Sequence, residues 1–122
     1  MRAIAQCVSM LLVCVFTGSV ASGAELGLIT AAEKGTYYQL GQDLKKLVKP
    51  SGINLTVYPS RGSVDNIFAV SRKRGIQLGI VQSDVLVFVA DQQSNPAVSR
   101  IAQSIRVVFP LHDEEVHVVG RR

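Results

Sequence analysis

Tryptophan is absent from this 122-residue sequence, cysteine occurs only twice, and aromatic residues make up just 6% of it. Charged residues are also few, at 18%, whereas hydrophobic residues reach 48%. That balance excludes an intrinsically disordered chain, because enough apolar side chains are present to fill a core. The length fits one ordinary domain or part of a larger one and argues against two complete domains. Net charge is +4, and the basic residues form no stripe interleaved with aromatics, so nucleic acid is not an expected partner.

Both cysteines, Cys7 and Cys14, fall in the first segment. Arg2 precedes an apolar run from Cys7 to Val20, and the small residues Ala21, Ser22, Gly23 and Ala24 follow. A positive start, a short apolar middle and a small-residue exit are the parts of a secretory signal peptide. Ser9, Thr17, Gly18 and Ser19 interrupt the run, which falls short of the roughly 20 apolar residues a membrane-spanning helix needs. Residues 1–24 are therefore expected to be a signal peptide cleaved after Ala24, with Gly23 the nearest alternative. Val13 stands before Cys14 where a lipoprotein signal needs a small residue. Cleavage would leave residues 25–122 without cysteine, and so without a disulfide, a thiolate nucleophile or a Cys-ligated metal.

What remains alternates short apolar runs with helix-length stretches. Leu26 to Thr30 reads as a strand. Thr36-Tyr37-Tyr38-Gln39 has capping-box form, and Tyr37, Leu40, Leu44, Leu47 and Val48 fall on one helical face. Lys45, Lys46 and Lys49 suit the C-terminal end of that helix, and Pro50-Ser51-Gly52 stops it. Ile53 to Tyr58 alternates apolar and polar residues as a half-buried strand does. Ser63 is placed to cap a second helix bearing Val64, Ile67 and Phe68, with Asp65 in its first turn and Arg72, Lys73 and Arg74 at its end.

Ile76 to Val81 is apolar enough for a strand buried on both faces. Val85 to Ala90 has the valine content of a strand but follows a plausible cap at Ser83, and is assigned as helix. Asn95-Pro96 reads as a loop. Ile105 to Phe109 and Val116 to Val119 read as two further strands. The order βαβαβαββ predicts an α/β fold with a mostly parallel sheet.

Parallel strands place the loops at their C-terminal ends along one edge, where open α/β sheets bind ligands. Those loops are Ala31 to Gly35, Pro59 to Gly62, and Gln82, each leading into a helix start at Thr36, Ser63 or Ser83. Three such starts offer free N–H groups and hydroxyls suited to a carboxylate, phosphate or other anion. The same residues also fit plain structural roles, Thr36, Ser63 and Ser83 as caps and Gly35 and Gly62 as turn glycines.

Three loop sequences in order carry a resemblance: Gly35-Thr36-Tyr37-Tyr38 with Leu40-Gly41, Gly62-Ser63-Val64-Asp65-Asn66, and Leu78-Gly79-Ile80-Val81-Gln82-Ser83-Asp84. Together with Val116-His117-Val118-Val119 they resemble the TAXI family, the extracytoplasmic solute-binding proteins of TRAP-type transporters. The resemblance implies a type II periplasmic-binding-protein fold, two α/β lobes closing on a small solute and delivering it to TRAP membrane subunits. The solutes it implies are glutamate, glutamine or related organic acids, bound as anions or zwitterions. By motif position Gly35, Thr36 and Tyr37 line the first part of the cleft, Gly62 and Ser63 the second, and Gln82, Ser83 and Asp84 the third. Thr and Ser hydroxyls would receive a carboxylate; one of Tyr37 and Tyr38 would stack on the solute, the other belonging to the core. Asp84 would either pair with a substrate ammonium or stabilise its own helix start.

Two loops depart from that pattern. Ala31-Ala32-Glu33-Lys34-Gly35 replaces a glycine-rich turn, and Arg61 stands where a small residue is usual. Lys34 and Arg61 either strengthen anion binding or are solvated loop charges. Such a family member continues into a second lobe beyond Val119. Residues 25–122 are therefore expected to be a partial first lobe with the second lobe absent, prone to self-association along its incomplete edge.

The rest of the sequence adds no chemistry. His112 and His117 are five apart, out of phase for one helix face, and Asp113-Glu114-Glu115 reads as a solvated turn. No nucleophile–base pair, phosphate-cradling motif or metal cluster is apparent, so neither an enzyme nor a cofactor is expected.

Overall fold

Parallel strands need a crossover that returns the chain to its starting end, and the helix-length segments between the apolar runs supply one. The computed structural model describes residues 23–115 and residue 120. β1 (Ala24–Ile29) leads into α1 (Thr36–Val48), and a single 3-10 turn, Lys49–Ser51, joins α1 to β2 (Ile53–Tyr58). α2 (Ser63–Arg72), β3 (Leu78–Gly79), α3 (Ser83–Ala90) and α4 (Pro96–Ser104) follow. The sheet order is β2-β1-β3, parallel throughout. Ala24 to Ile29 pair with Ile53 to Tyr58 in unbroken register, and Leu28 and Ile29 pair with Leu78 and Gly79. This is the open, parallel α/β arrangement expected from the sequence.

Side-chain alternation in β1 divides the core. Leu26 and Leu28 pack with Leu55, Leu78 and Ile80 against Tyr37, Leu40, Leu44 and Val48 of α1. Ile29 points the other way, into a cluster with Ala69 and Val70 of α2 and with Ile76. A third cluster joins the helices to one another, with Ile67, Val89 and Ala102 at its centre. The sheet is thus covered by α1 on one face and α2 on the other, and α3 and α4 build outward from α2.

Several local expectations are corrected. Leu47, expected on the buried face of α1, is 72% exposed, because it lies at the edge of the apolar stripe. The strand expected over Ile76 to Val81 has only Leu78 and Gly79 in regular pairing. Bonds from Gln77 N to Gly27 O and from Ile80 N to Ile29 O extend the contact on either side.

Asn95-Pro96, read as a loop, instead starts α4. The Asn95 side chain accepts a hydrogen bond from Val98 N, and Pro96 takes the first helical position, where its missing N–H costs nothing. Val98, Ile101, Ala102 and Ile105 then meet the helical cluster at the spacing of one face.

The strand expected at Ile105 to Phe109 is not formed. Ile105 closes α4, while Val107, Val108 and Phe109 are 76%, 72% and 56% exposed. Valine-rich sequence favours a strand only where another strand is available to pair with it, and none takes that place among the described residues. The strand expected at Val116 to Val119 lies outside the described residues.

β1 is held against the turn before β3 at unusually short range. Gly27 N donates to the side-chain oxygen of Gln77 at 2.8 Å. A Cβ on Gly27 would stand 1.9 Å from the carbonyl oxygen of Gly75. Relieving that overlap requires the backbone to move. Gly27→Ala is expected to lower unfolding stability by about 3 kcal/mol, the upper range of overpacking costs, as read by urea denaturation. An unchanged midpoint would show that the approach is not needed.

Candidate functional site

The C-terminal ends of the three strands share one edge, and the polar residues at that edge are tied together. Thr30, just past β1, donates from N and Oγ1 to Tyr58 O, both at 3.0 Å. Ser60 Oγ donates to Thr30 O at 3.0 Å and accepts from Gly62 N at 3.0 Å. Asn66, on α2 and fully buried, donates from Nδ2 both to Thr30 O and to Ile80 O, the latter at 2.7 Å. Two carbonyl acceptors fix the amide orientation, because only the NH2 side can serve both. Asn66 Oδ1 is buried with no hydrogen-bond partner among the described residues.

The helix starts differ by one residue from the sequence reading. Gly35, Gly62 and Gln82 occupy the N-cap positions, and none of the three makes a side-chain capping bond. Thr36, Ser63 and Ser83 are the first helical residues instead. Gly62 has φ 119° and ψ −164°, a backbone region essentially confined to glycine, so it holds the N-cap where serine was expected. The expected capping box is therefore not made. Gln39 donates from its side chain to Glu33 O rather than reaching back to a cap. Ser63, released from capping and nearly buried, accepts from Gln82 N at 3.0 Å, which fastens the third loop to the start of the second helix.

The structure brings Tyr37, Gln82 and Asp84 to one place and distributes the remaining expected residues around it. Gly35 closes the first loop through a bond from its N to Ala32 O at 2.7 Å. Thr36 and Ser83 are exposed at their helix starts. Asp84 Oδ1 accepts from Val85 N at 2.8 Å, a helix-start role, and its charge also reaches the Tyr37 phenol. Arg61 folds onto Asp65 in a two-pronged ion pair, with Nε–Oδ2 at 2.7 Å and Nη2–Oδ1 at 3.1 Å. Its guanidinium is thereby committed to its own helix start. Lys34 is exposed on the first loop.

Glu114 corrects the reading of Asp113-Glu114-Glu115 as a solvated turn. The Tyr37 hydroxyl donates to Glu114 Oε1, and Gln82 Nε2 donates to Glu114 Oε2 at 2.6 Å. The His112 ring stands 6.2 Å from the Tyr37 ring, tilted by 43°. Two neutral donors from separate elements thus converge on one carboxylate. Burial, then the hydrogen bond and negative charge of Glu114, then Asp84 push the Tyr37 phenol up to about 12. The bonds from Tyr37 and then Gln82 hold the Glu114 carboxyl below its ordinary value, with a smaller effect from His112.

The pH window of this contact follows from the two directions. A lowered carboxyl pKa stabilises the contact above the ordinary carboxylate value, and the effect is lost as pH falls through the depressed one. The raised phenol pKa makes Tyr37's contribution complete below 10.0, and it is lost as pH rises toward about 12. Neutral pH lies well inside that window.

A separate surface hollow of about 260 Å³ is lined by Glu25, Lys45, Lys49 and Asn54, among others. It lies at the opposite end of the strands and does not reach these loops. Asn54 donates to Glu25 there at 2.6 Å, an ordinary surface contact. No group of three or more potential metal ligands occurs among the described residues.

Residues 28–122 match the NMT1-like family. The chain belongs to that family. The family is periplasmic-binding-protein-like, so the NMT1-like assignment gives this chain a solute-binding type of function and, in general, a small-molecule ligand. Neither a curated protein nor a solved structure matches it. In this NMT1-like chain the strand-end loops stand where open α/β sheets take ligands.

Sequence reasoning missed Asn66 and Glu114 as site residues. Asn66 had a readable signal, an amide flanked by Ile67 and one turn from Ser63 on the inward side of α2. Glu114 had none, since 77 residues separate it from Tyr37. Asn66→Ala is expected to cost about 2 kcal/mol, from two lost buried bonds partly offset by removal of the unsatisfied Oδ1. Chemical denaturation measures it, and a loss within experimental error would show that the strand ends hold without the amide.

Proposed function

We propose that this chain is the first-lobe segment of an extracytoplasmic solute-binding receptor of the TAXI kind, serving TRAP-type uptake of a small carboxylate or amino acid resembling glutamate or glutamine. The observation that carries the reading is the pair of donors, Tyr37 Oη and Gln82 Nε2, that converge on the carboxylate of Glu114 at the C-terminal edge of the parallel sheet. Membership of the NMT1-like family supports a solute as the ligand class. The resemblance of the three loop motifs to TAXI proteins supports the finer assignment. On this reading residues 1–24 direct the chain out of the cytoplasm, and the TRAP membrane subunits are its partners. The chain performs no catalysis of its own.

The ligand-contacting residues in this proposal are Tyr37 and Gln82 for a carboxylate, with Gly35, Thr36, Gly62, Ser63, Ser83 and Asp84 bordering them. Sequestering a solute requires closure of two lobes, so one lobe is expected to bind weakly. Titration of the isotope-labelled chain with L-glutamate, followed by NMR, is expected to give millimolar affinity. The shifts should concentrate at Tyr37, Gly62, Ser63 and Gln82 to Asp84. Shifts confined to the hollow beside Lys45 and Lys49 would overturn the site assignment.

A second reading has its own support. Val107, Val108 and Phe109 form an exposed apolar run, consistent with a secreted interaction domain derived from a single binding-protein lobe and without a role in transport. That reading expects concentration-dependent self-association in analytical ultracentrifugation. A monomer across the accessible concentration range, with a cooperative melt, counts against it.

A further inference from the structure

A carboxylate already occupies the donor pair, and it belongs to the chain itself. Residues 105–115 leave α4 without forming helix or strand and return across the strand ends. Glu114 contacts the site through both of its carboxylate oxygens, and His112 stands beside the Tyr37 ring. Tyr37 stands in the first turn of α1, and Gln82 is the residue before α3. Two elements 45 positions apart in sequence therefore present neutral donors at a separation that suits one carboxylate group.

We propose that Glu114 is an internal ligand: its side chain fills a carboxylate subsite formed by Tyr37 Oη and Gln82 Nε2, and a solute carboxylate binds there only by displacing it. The inference rests on the solute-binding reading above and adds its regulation. The chemistry of the displaced and displacing groups is the same, a carboxylate accepting one hydroxyl and one amide hydrogen bond. At neutral pH both carboxylates are charged and neither donor is, so ionisation does not distinguish the two and the exchange is one like group for another. A tethered carboxylate competes at the effective concentration set by its short tether, which for flexible links is millimolar. Apparent affinity for a free carboxylate then falls in proportion to the fraction of molecules in which the subsite is open. His112, resting against Tyr37, adds a second point of attachment for the same segment.

Glu114 is exposed, so replacing it leaves the core intact. The full chain and its Glu114→Ala variant are compared by NMR titration with L-glutamate, and with acetate as the minimal carboxylate. The ionisable groups facing Tyr37 are Glu114, Asp84 and His112. Removing Glu114 is expected to bring the Tyr37 phenol down from about 12 toward 10.0, read by ultraviolet titration. The same variant is expected to bind L-glutamate about tenfold more tightly, as for a subsite otherwise closed most of the time. Adding Tyr37→Phe or Gln82→Ala to Glu114→Ala is expected to erase that gain.

Equal affinity of the two proteins, with shifts at Gln82 in both, overturns the displacement and leaves the solute-binding reading standing. An unmoved Tyr37 titration likewise overturns it, by showing that Glu114 is not docked. If the Tyr37 titration moves yet neither carboxylate binds either protein, the solute-binding reading itself falls, and the proposal with it.

Discussion

Asn66 holds the strand ends together. Its side-chain NH2 spans the carbonyls that follow β1 and β3, at Thr30 and Ile80, from a fully buried position on the helix between β2 and β3. The third strand has only two residues in regular pairing, flanked by bonds from Gln77 N and Ile80 N to β1. The amide adds two buried bonds to this short ladder, one at the end of each strand. Neighbouring bonds close the same edge: Ser60 reaches the same Thr30 carbonyl, and Gln82 N donates to Ser63. With the ends of β1 and β3 pinned to the second helix, the loops that follow them have fixed starting points.

That fixed edge determines how the polar loop residues are used. Gly62 takes a backbone conformation closed to other residues, which moves the N-cap one place earlier than a Ser-based cap would. Ser63 becomes a fastener between loops instead of a cap. Arg61, whose sequence position allows either anion binding or a solvated loop charge, is held by Asp65 four residues later. That leaves its guanidinium engaged away from the Glu114 carboxylate. The observed partners of that carboxylate are neutral, a phenol and an amide, and such donors distinguish ligands by geometry more than by charge.

Three strand-helix units, the inward face of the first helix and the location of the loops were legible in the sequence, because each rests on local periodicity. The N-terminal signal of α4 is equally local, in Asn95-Pro96 and the spacing of Val98, Ile101 and Ala102, but an Asn-Pro pair is as much a loop signal as a helix start. The run from Ile105 to Phe109 shows the limit of such reading. Its β-branched residues are those of a strand, yet strand formation depends on a partner that no property of the run itself supplies.

The sequence by itself determined the α/β class, the parallel order, the absence of cysteine chemistry beyond residue 24 and the set of loops from which a site could be built. Those properties follow from composition and from repeats of two and of about 3.6 residues. Only the tertiary structure decided which loop residues meet. Tyr37 and Gln82 converge because the sheet sets their elements side by side, and Glu114 reaches them because the chain after α4 turns back over that edge. Contacts between residues 32 and 77 positions apart leave no trace in local pattern. They exist only once the chain has folded.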